Sequence, residues 1–264
     1  MNSGRTSGGN TDAQPCHRNR RAHRADDRHL RDLGTRLLVL PDTGHRAAPS
    51  KIFEALIQFQ KPIIDNSIRT LWTTIAGFLL ATMFGLLLGI AVGWHKSIYA
   101  AVYPVLIGFN SIPKVAIVPI LIMWFRPGSI PAVLTAFLIS FFPIVVNVAT
   151  GLATMEPELE DVLRALGASK LDIMRKVGIP RSMPYFFGSL KVAITLAFVG
   201  AVVAETVGTD LGLGKLMLDA SAGFQVPIVW ACLLVLAVLG IILYAITALI
   251  EMRFTGWAFR GQNR

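Results

Sequence analysis

From residue 71 onward this chain returns five times to an apolar run long enough to cross a bilayer, for which a helix needs about 20 residues. The runs cover residues 71–94, 98–125, 130–153, 185–207 and 227–250. Charged residues make up 16% of the chain, against about a quarter in a soluble domain, and the deficit sits in these runs. The expected fold is all-α: a polytopic transmembrane helical bundle of about five spans. The formal net charge is +9. In a soluble protein that excess would point to nucleic acid. Here it reads as Lys and Arg gathered in cytoplasmic loops, and no nucleic-acid partner is expected. Cys16 lies in a polar segment and Cys232 in an apolar run, so neither a disulfide framework nor a metal site is indicated.

The spans carry signatures of their own. In the first, Gly77, Gly85, Gly89 and Gly93 recur at near four-residue spacing, which lets helices approach closely in lipid. In the second, Pro104, Pro113 and Pro119 predict a broken or kinked path. Basic residues set the orientation. Lys96 follows the first span, and Arg164, Lys170, Arg175, Lys176 and Arg181 lie between the third and fourth. Arg253, Arg260 and Arg264 follow the fifth. Together they outnumber Lys51, Lys61, Arg69, Arg126 and Lys215 on the other side, so these three places and the C-terminus are expected in the cytoplasm. Residues 1–46 differ from the rest, with nine Arg, five Asp, four His and no Lys. Five spans would place this tail outside, against the bias seen elsewhere. The expectation is a disordered or non-native tail, from a frameshift or misplaced start, or a missing first span. The membrane domain then runs over 47–264, with a cytoplasmic loop over 156–180.

That loop is the most informative stretch. Pro157 suits the first position of a helix. Leu159, Val162, Leu163 and Leu166 then fall on one face, and Glu158, Glu160 and Asp161 occupy the first turns, where the helix dipole favours acids. Gly167 is placed to close the helix in the left-handed conformation. Ser169 and Asp172 resemble a capping pair for a second short helix, which Pro180 is expected to end. Two short helices meeting at Gly167 and Ala168 make a compact knob with a bare tip, suited to a cleft on a cytoplasmic protein. An amphipathic helix lying flat on the membrane is the other reading.

Asp161-Val-Leu-Arg-Ala-Leu-Gly167, with Ile179-Pro180 twelve and thirteen residues after the glycine, resembles the "EAA" loop of permease subunits from binding-protein-dependent ABC importers. Asp161 stands at the acidic position, and Val162 and Leu163 replace the two usual alanines. The stretches Asn110-Ser-Ile-Pro-Lys-Val-Ala-Ile-Val-Pro-Ile-Leu-Ile-Met-Trp-Phe125 and Val203-Ala-Glu-Thr-Val-Gly-Thr-Asp-Leu-Gly-Leu-Gly-Lys-Leu216 are similar to the nitrate, sulfonate and taurine branch of these permeases. The resemblance runs from about residue 49 to 257. It implies a helical bundle of the importer-permease type, usually with six spans. It makes the loop a coupling helix, in which Asp161, Arg164, Ala165, Leu166, Gly167, Ala168, Ser169 and Pro180 meet an ATP-binding cassette ATPase subunit. It further implies a second permease copy, a soluble extracytoplasmic solute-binding protein, and a small anion such as nitrate, an alkanesulfonate or taurine as solute. The chain itself is then no enzyme, needs no cofactor and resides in the cytoplasmic membrane.

Lys114, beside Pro113, is either a pathway-facing cation or a snorkelling Lys at a helix break. Glu205, the acid within the fourth span, is a candidate outer gate or a structural group. Asn110 and Asn147 are placed to bond neighbouring helices, and Asn110 is kept as a pathway candidate beside Lys114. Lys191 reads as snorkelling. Gly208, Gly212 and Gly214 lack the Gly-Lys-Ser/Thr ending of a phosphate loop and read as an extracytoplasmic turn. The rival to an ATP-driven importer is an ion-gradient-driven secondary transporter, which needs intramembrane acids and inverted repeats. An integral-membrane enzyme would need clustered catalytic groups at one membrane face.

Overall fold

A computed structural model describes residues 49–255. The expectations for residues 1–46 and for Arg260 and Arg264 lie outside the described residues. In chain order the helices are α1 (Pro49–Gln58), α2 (Gln60–Gly93), α3 (Lys96–Asn110), α4 (Val118–Phe125) and α5 (Ser129–Ala153). They continue as α6 (Pro157–Ala165), α7 (Lys170–Ile173), α8 (Ile179–Gly208), α9 (Leu213–Ala222) and α10 (Val226–Thr255). No strand occurs among the described residues. α2, α5, α8 and α10 are each long and apolar enough to cross a membrane, and α3 with α4 makes a fifth, bent crossing.

The first crossing extends further at its N-terminal end than its apolar run. α2 has 34 residues, about 50 Å at 1.5 Å per residue, so it overshoots a hydrocarbon core of about 30 Å. Its polar start, with Lys61, Asp65, Asn66 and Arg69, is helical but lies before the apolar run that begins at residue 71. Two short helices, α1 and α9, were not expected from the sequence, because neither carries an apolar stretch of spanning length.

The glycines of α2 explain how the bundle closes. A Cβ on Gly77 would lie 2.5 Å from Ala136 Cβ; on Gly85, 2.9 Å from Ile144 Cβ; on Gly89, 2.7 Å from Val148 Cβ; on Gly93, 2.8 Å from Leu152 Cβ. In every pair the partner on α5 is the same distance along the chain, so the two helices run parallel in strict register along a four-residue ridge. Ala81, fully buried, continues the row. α8 covers the other side of α5 with its own small-residue row: Ser189, Ala193, Ala197 and Ala201, all buried, end at Glu205. Gly151 meets Ser182 and Tyr185, while Gly200 meets Ala136, so α8 is antiparallel to α5. α10 turns back along α8, with Phe254 stacked on Phe187 at 5.5 Å and Lys191 paired to Glu251. Van der Waals packing of this kind is what holds helices together in lipid.

The second crossing is broken where the prolines predicted. α3 and the helical segment after it meet at 67°, with Ser111, Ile112 and Pro113 between α3 and a 3-10 turn over Lys114–Ile117. Pro180 behaves differently from expectation. It does not end the second loop helix: α7 runs on through a π-helical turn, Met174–Gly178, into α8 as one helical path. The wide turn, in which the Ile179 N–H reaches back to Met174 O, opens the hydrogen-bond ladder where proline has no N–H to give.

Candidate functional site

Residues 156–180 project from one end of the bundle. α6 ends where Gly167 takes φ +84°, a left-handed turn that suits glycine; the Gly167 and Ala168 N–H groups bond back to Arg164 O and Leu163 O. The Asp172 N–H then bonds to the Ser169 hydroxyl at 3.2 Å, and that hydroxyl donates to the Asp172 carboxylate. The Ser169 hydroxyl, with Lys176 nearby, holds the Asp172 carboxyl below the usual carboxylate range. Nothing lies within 4 Å of a Cβ built on Gly167. Around this bare tip stand Leu166, Leu171 and Val162, exposed by 78%, 62% and 57%. Leu159 and Leu163 turn partly inward, so only half of the α6 apolar face is covered within the chain. A groove of about 320 Å³ runs beside the tip between Leu163, Leu166, Asp172 and Lys176.

Ion pairs attach α6 to the bundle. Glu156 meets Arg181, at the base of α8, at 2.6 Å. Glu160 meets Arg164 at 2.6 Å and Lys96, the first residue of α3, at 3.8 Å. The start of α3, the 156–181 loop and the C-terminal turn of α10 therefore share one end of the molecule.

At the opposite end, Glu205 is 1% exposed. Its carboxylate accepts from Thr70 Oγ1 at 2.8 Å, Thr73 Oγ1 at 3.4 Å and the Gly214 N–H at 3.0 Å. Thr70 Oγ1 accepts from the Leu213 N–H at 2.9 Å, and Asn66 Oδ1 accepts from the Gly212 N–H at 2.7 Å. Three backbone donors at the start of α9 are thereby satisfied by α2 and α8, with a carboxylate at the helix end where it is most favoured. The glycines are required: a Cβ on Gly212, at φ +120°, would fall 2.2 Å from Glu205 Cδ, and one on Gly214 would fall 2.5 Å from Val202 O.

At the break in the second crossing, Lys114 Nζ donates to Asn110 O at 2.9 Å and to Asn110 Oδ1 at 3.0 Å, capping the C-terminus of α3. The same ammonium lies 4.8 Å from the centre of the Phe142 ring.

Comparison with known proteins bears on what these ends serve. The family described as "Binding-protein-dependent transport system inner membrane component" matches residues 81–256. The chain belongs to that family. This inner membrane component is 32% identical over 69% of its length to a formylaminopyrimidine transport permease, ThiX, of Halalkalibacterium halodurans, covering 72% of that protein. It is 31% identical over 67% of its length to a nitrate import permease, NrtB, of Leptolyngbya laminosa, covering 63% of that protein. An aliphatic sulfonates permease, SsuC, of Bacillus subtilis is a further relative at 29% identity, with 69% of this chain and 66% of that one aligned. Its fold is that of the inward-facing MetNI methionine ABC transporter, with a TM-score of 0.64 at 19% identity over 75% of this chain and 98% of that one. It is a multi-pass membrane protein.

Of the residues singled out from sequence, Asp161, Arg164, Ala165, Leu166, Gly167 and Ser169 are exposed on the projecting loop, and Ala168 is half-buried there. Pro180 sits apart from the tip, in the first turn of α8. Asn110 and Lys114 are brought together; Glu205 lies elsewhere, engaged inside the protomer with hydroxyls and N–H groups and with no cation within 4 Å among the described residues. Asn147 bonds its own helix, at Pro143 O, and not a neighbour. Lys191 does not snorkel free: it pairs with Glu251, a buried acid that the apolar run ending at residue 250 left out. Asn66 and Thr70 were missed because the first span was expected to begin at residue 71, and Thr73, inside that span, because nothing local marks its partner on α8; the hydroxyl cluster Thr70, Thr73 and Thr74 at the edge of an apolar run was the available signal.

Proposed function

We propose that this chain is the permease subunit of an ATP-driven ABC importer, forming with a second copy the membrane path for a small solute. The observation that carries this is the bare glycine tip ringed by exposed Val162, Leu166 and Leu171. Apolar side chains held out from a membrane protein on a short, capped helix pair need a soluble partner to cover them. An ATP-binding cassette ATPase subunit, supplying the energy that no nucleotide-binding loop in this chain could, fits that need. The basic bias of the loops supports a cytoplasmic position for this end and for the C-terminus, in the cytoplasmic membrane. A soluble extracytoplasmic binding protein delivers the solute to the opposite end. Relatives named for nitrate and aliphatic sulfonates support a small anion as solute.

The loop's construction supports a coupling mechanism. The tip enters a cleft on the ATPase. Its second helix continues unbroken into α8, and Glu156–Arg181 and Glu160–Lys96 tie its first helix to α8 and to the start of α3. Closure of the ATPase pair displaces two helices at once and biases the bundle between inward and outward openings. Uptake by the assembled complex is expected to vanish with a hydrolysis-deficient ATPase; persistence would favour a gradient-driven carrier. Gly167→Val puts a β-branched residue at φ +84° on the tip, and is expected to abolish uptake with normal membrane levels. Parental uptake would count against the docking role.

A further inference from the structure

The break at residues 111–113 lies within the bent second crossing and is left uncovered by the described residues. Asn110, Ser111, Ile112 and Pro113 are all exposed. The carbonyls of Ser111 and Ile112 have no hydrogen-bond partner among the described residues. The depth of the site follows from Phe142, whose ring the Lys114 ammonium approaches: it stands one residue past the midpoint of α5, Ser129–Ala153. Unpaired backbone and a cation at mid-depth are not tolerated against lipid; they lie in protein or along water. Among the described residues no carboxylate is within 4 Å of Lys114. Its partners are one carbonyl, one amide oxygen and an aromatic face. Two of its three protons are used, and its charge is not neutralised.

We propose that Lys114, held by Asn110, is an anion-attracting point on a water-filled solute path, facing the second copy, and that it takes small oxyanions such as nitrates, sulfonates or carboxylates one oxygen at a time. Asn110 is the positioning residue: it fixes the ammonium against the end of α3 and leaves one N–H to the passing anion. Apart from the expectation that two copies share the path, the inference stands on the break itself.

The test reads charge selectivity without knowing the solute. Ser111→Cys and, separately, Ile112→Cys are placed in a Cys16→Ser, Cys232→Ala background, assembled with the ATPase subunits in membranes. Each is treated with an anionic sulfonatoethyl and a cationic trimethylammonioethyl methanethiosulfonate, and each rate is divided by that reagent's rate on a free thiol. The anionic reagent is expected to be favoured by roughly fivefold to tenfold, as one neighbouring unit charge acting through a water-like dielectric would give. Lys114→Gln should remove the preference and Lys114→Arg should keep it. Two unreactive cysteines, equal rates, or a preference that survives Lys114→Gln would overturn the proposal. If the preference holds but uptake persists with a hydrolysis-deficient ATPase, the importer reading fails and the anion site stands. If uptake needs ATP hydrolysis but no preference is seen, the anion site alone fails.

Discussion

Gly77 and Gly89 offer a direct test of the α2–α5 seam. A Cβ at residue 77 would lie 2.5 Å from Ala136 Cβ and 2.7 Å from Val133 O, and one at residue 89 would lie 2.7 Å from Val148 Cβ. Carbons prefer about 3.5–4.0 Å, so alanine at either position forces the helices apart by roughly 1 Å. Overpacking of that kind costs about 1–3 kcal/mol, and the gain from replacing a helical glycine returns about 0.5–1 kcal/mol. The expected net loss is roughly 0–2.5 kcal/mol per site, centred near 1 kcal/mol. One parting of the helices relieves both overlaps, so the double variant should lose less than the sum. Gly108 is the control: nothing lies within 4 Å of its Cβ position, and Gly108→Ala keeps only the helix gain. Melting of the detergent-solubilised protein, followed by tryptophan fluorescence, should fall for Gly77→Ala and Gly89→Ala and hold or rise for Gly108→Ala. If all three melt alike, the close-approach argument is wrong.

Two further outcomes concern buried polar groups. Lys191→Met strands Glu251 between α8 and α10; because the Lys191 side chain is 27% exposed, the cost should be about 1–3 kcal/mol, and Lys191→Met with Glu251→Leu should recover most of it; a double variant that melts no higher than the single would refute this. Glu205→Leu removes both acceptor oxygens, leaving the Gly214 N–H at the start of α9 unpaired, and should cost about 1–3 kcal/mol. Gly212→Ala, which collides with the same carboxylate, should be worse. Hydrogen exchange at Leu213 and Gly214 should quicken in both, and unchanged protection would exclude the knot as what holds α9.

What could be seen in advance was local in origin. Span-length apolar runs, the prolines around Pro113, the left-handed Gly167 and the Ser169–Asp172 cap each depend on a few adjacent residues, and each appears in the structure. The glycine row of α2 showed that a close neighbour existed without saying which helix it was. The rest depends on distant partners. α9 has too little apolar sequence to announce itself, and its start is held by Asn66, Thr70 and Glu205, between 9 and 146 residues away. The glycines at 212 and 214 read as a turn because the side chain they make room for belongs to another helix. Pro180 was read as a stop because proline ordinarily interrupts a ladder, and only the widened turn before it removes the conflict.

That widened turn has a geometric consequence. Its i→i+5 bonding takes in one residue more than an α-turn, and each residue of an α-helix advances the chain by about 100° around the axis. The wide turn spends that residue within one revolution, so trimming it from Met174–Gly178 would restore an ordinary α-turn and leave Gly167 on nearly the same compass bearing, whereas losing a residue from a regular turn of α8 would swing it by about 100°. The bulge thus carries Pro180 without turning the protrusion, and a single-codon deletion there would return the proline to an ordinary ladder while leaving the tip's heading nearly unchanged.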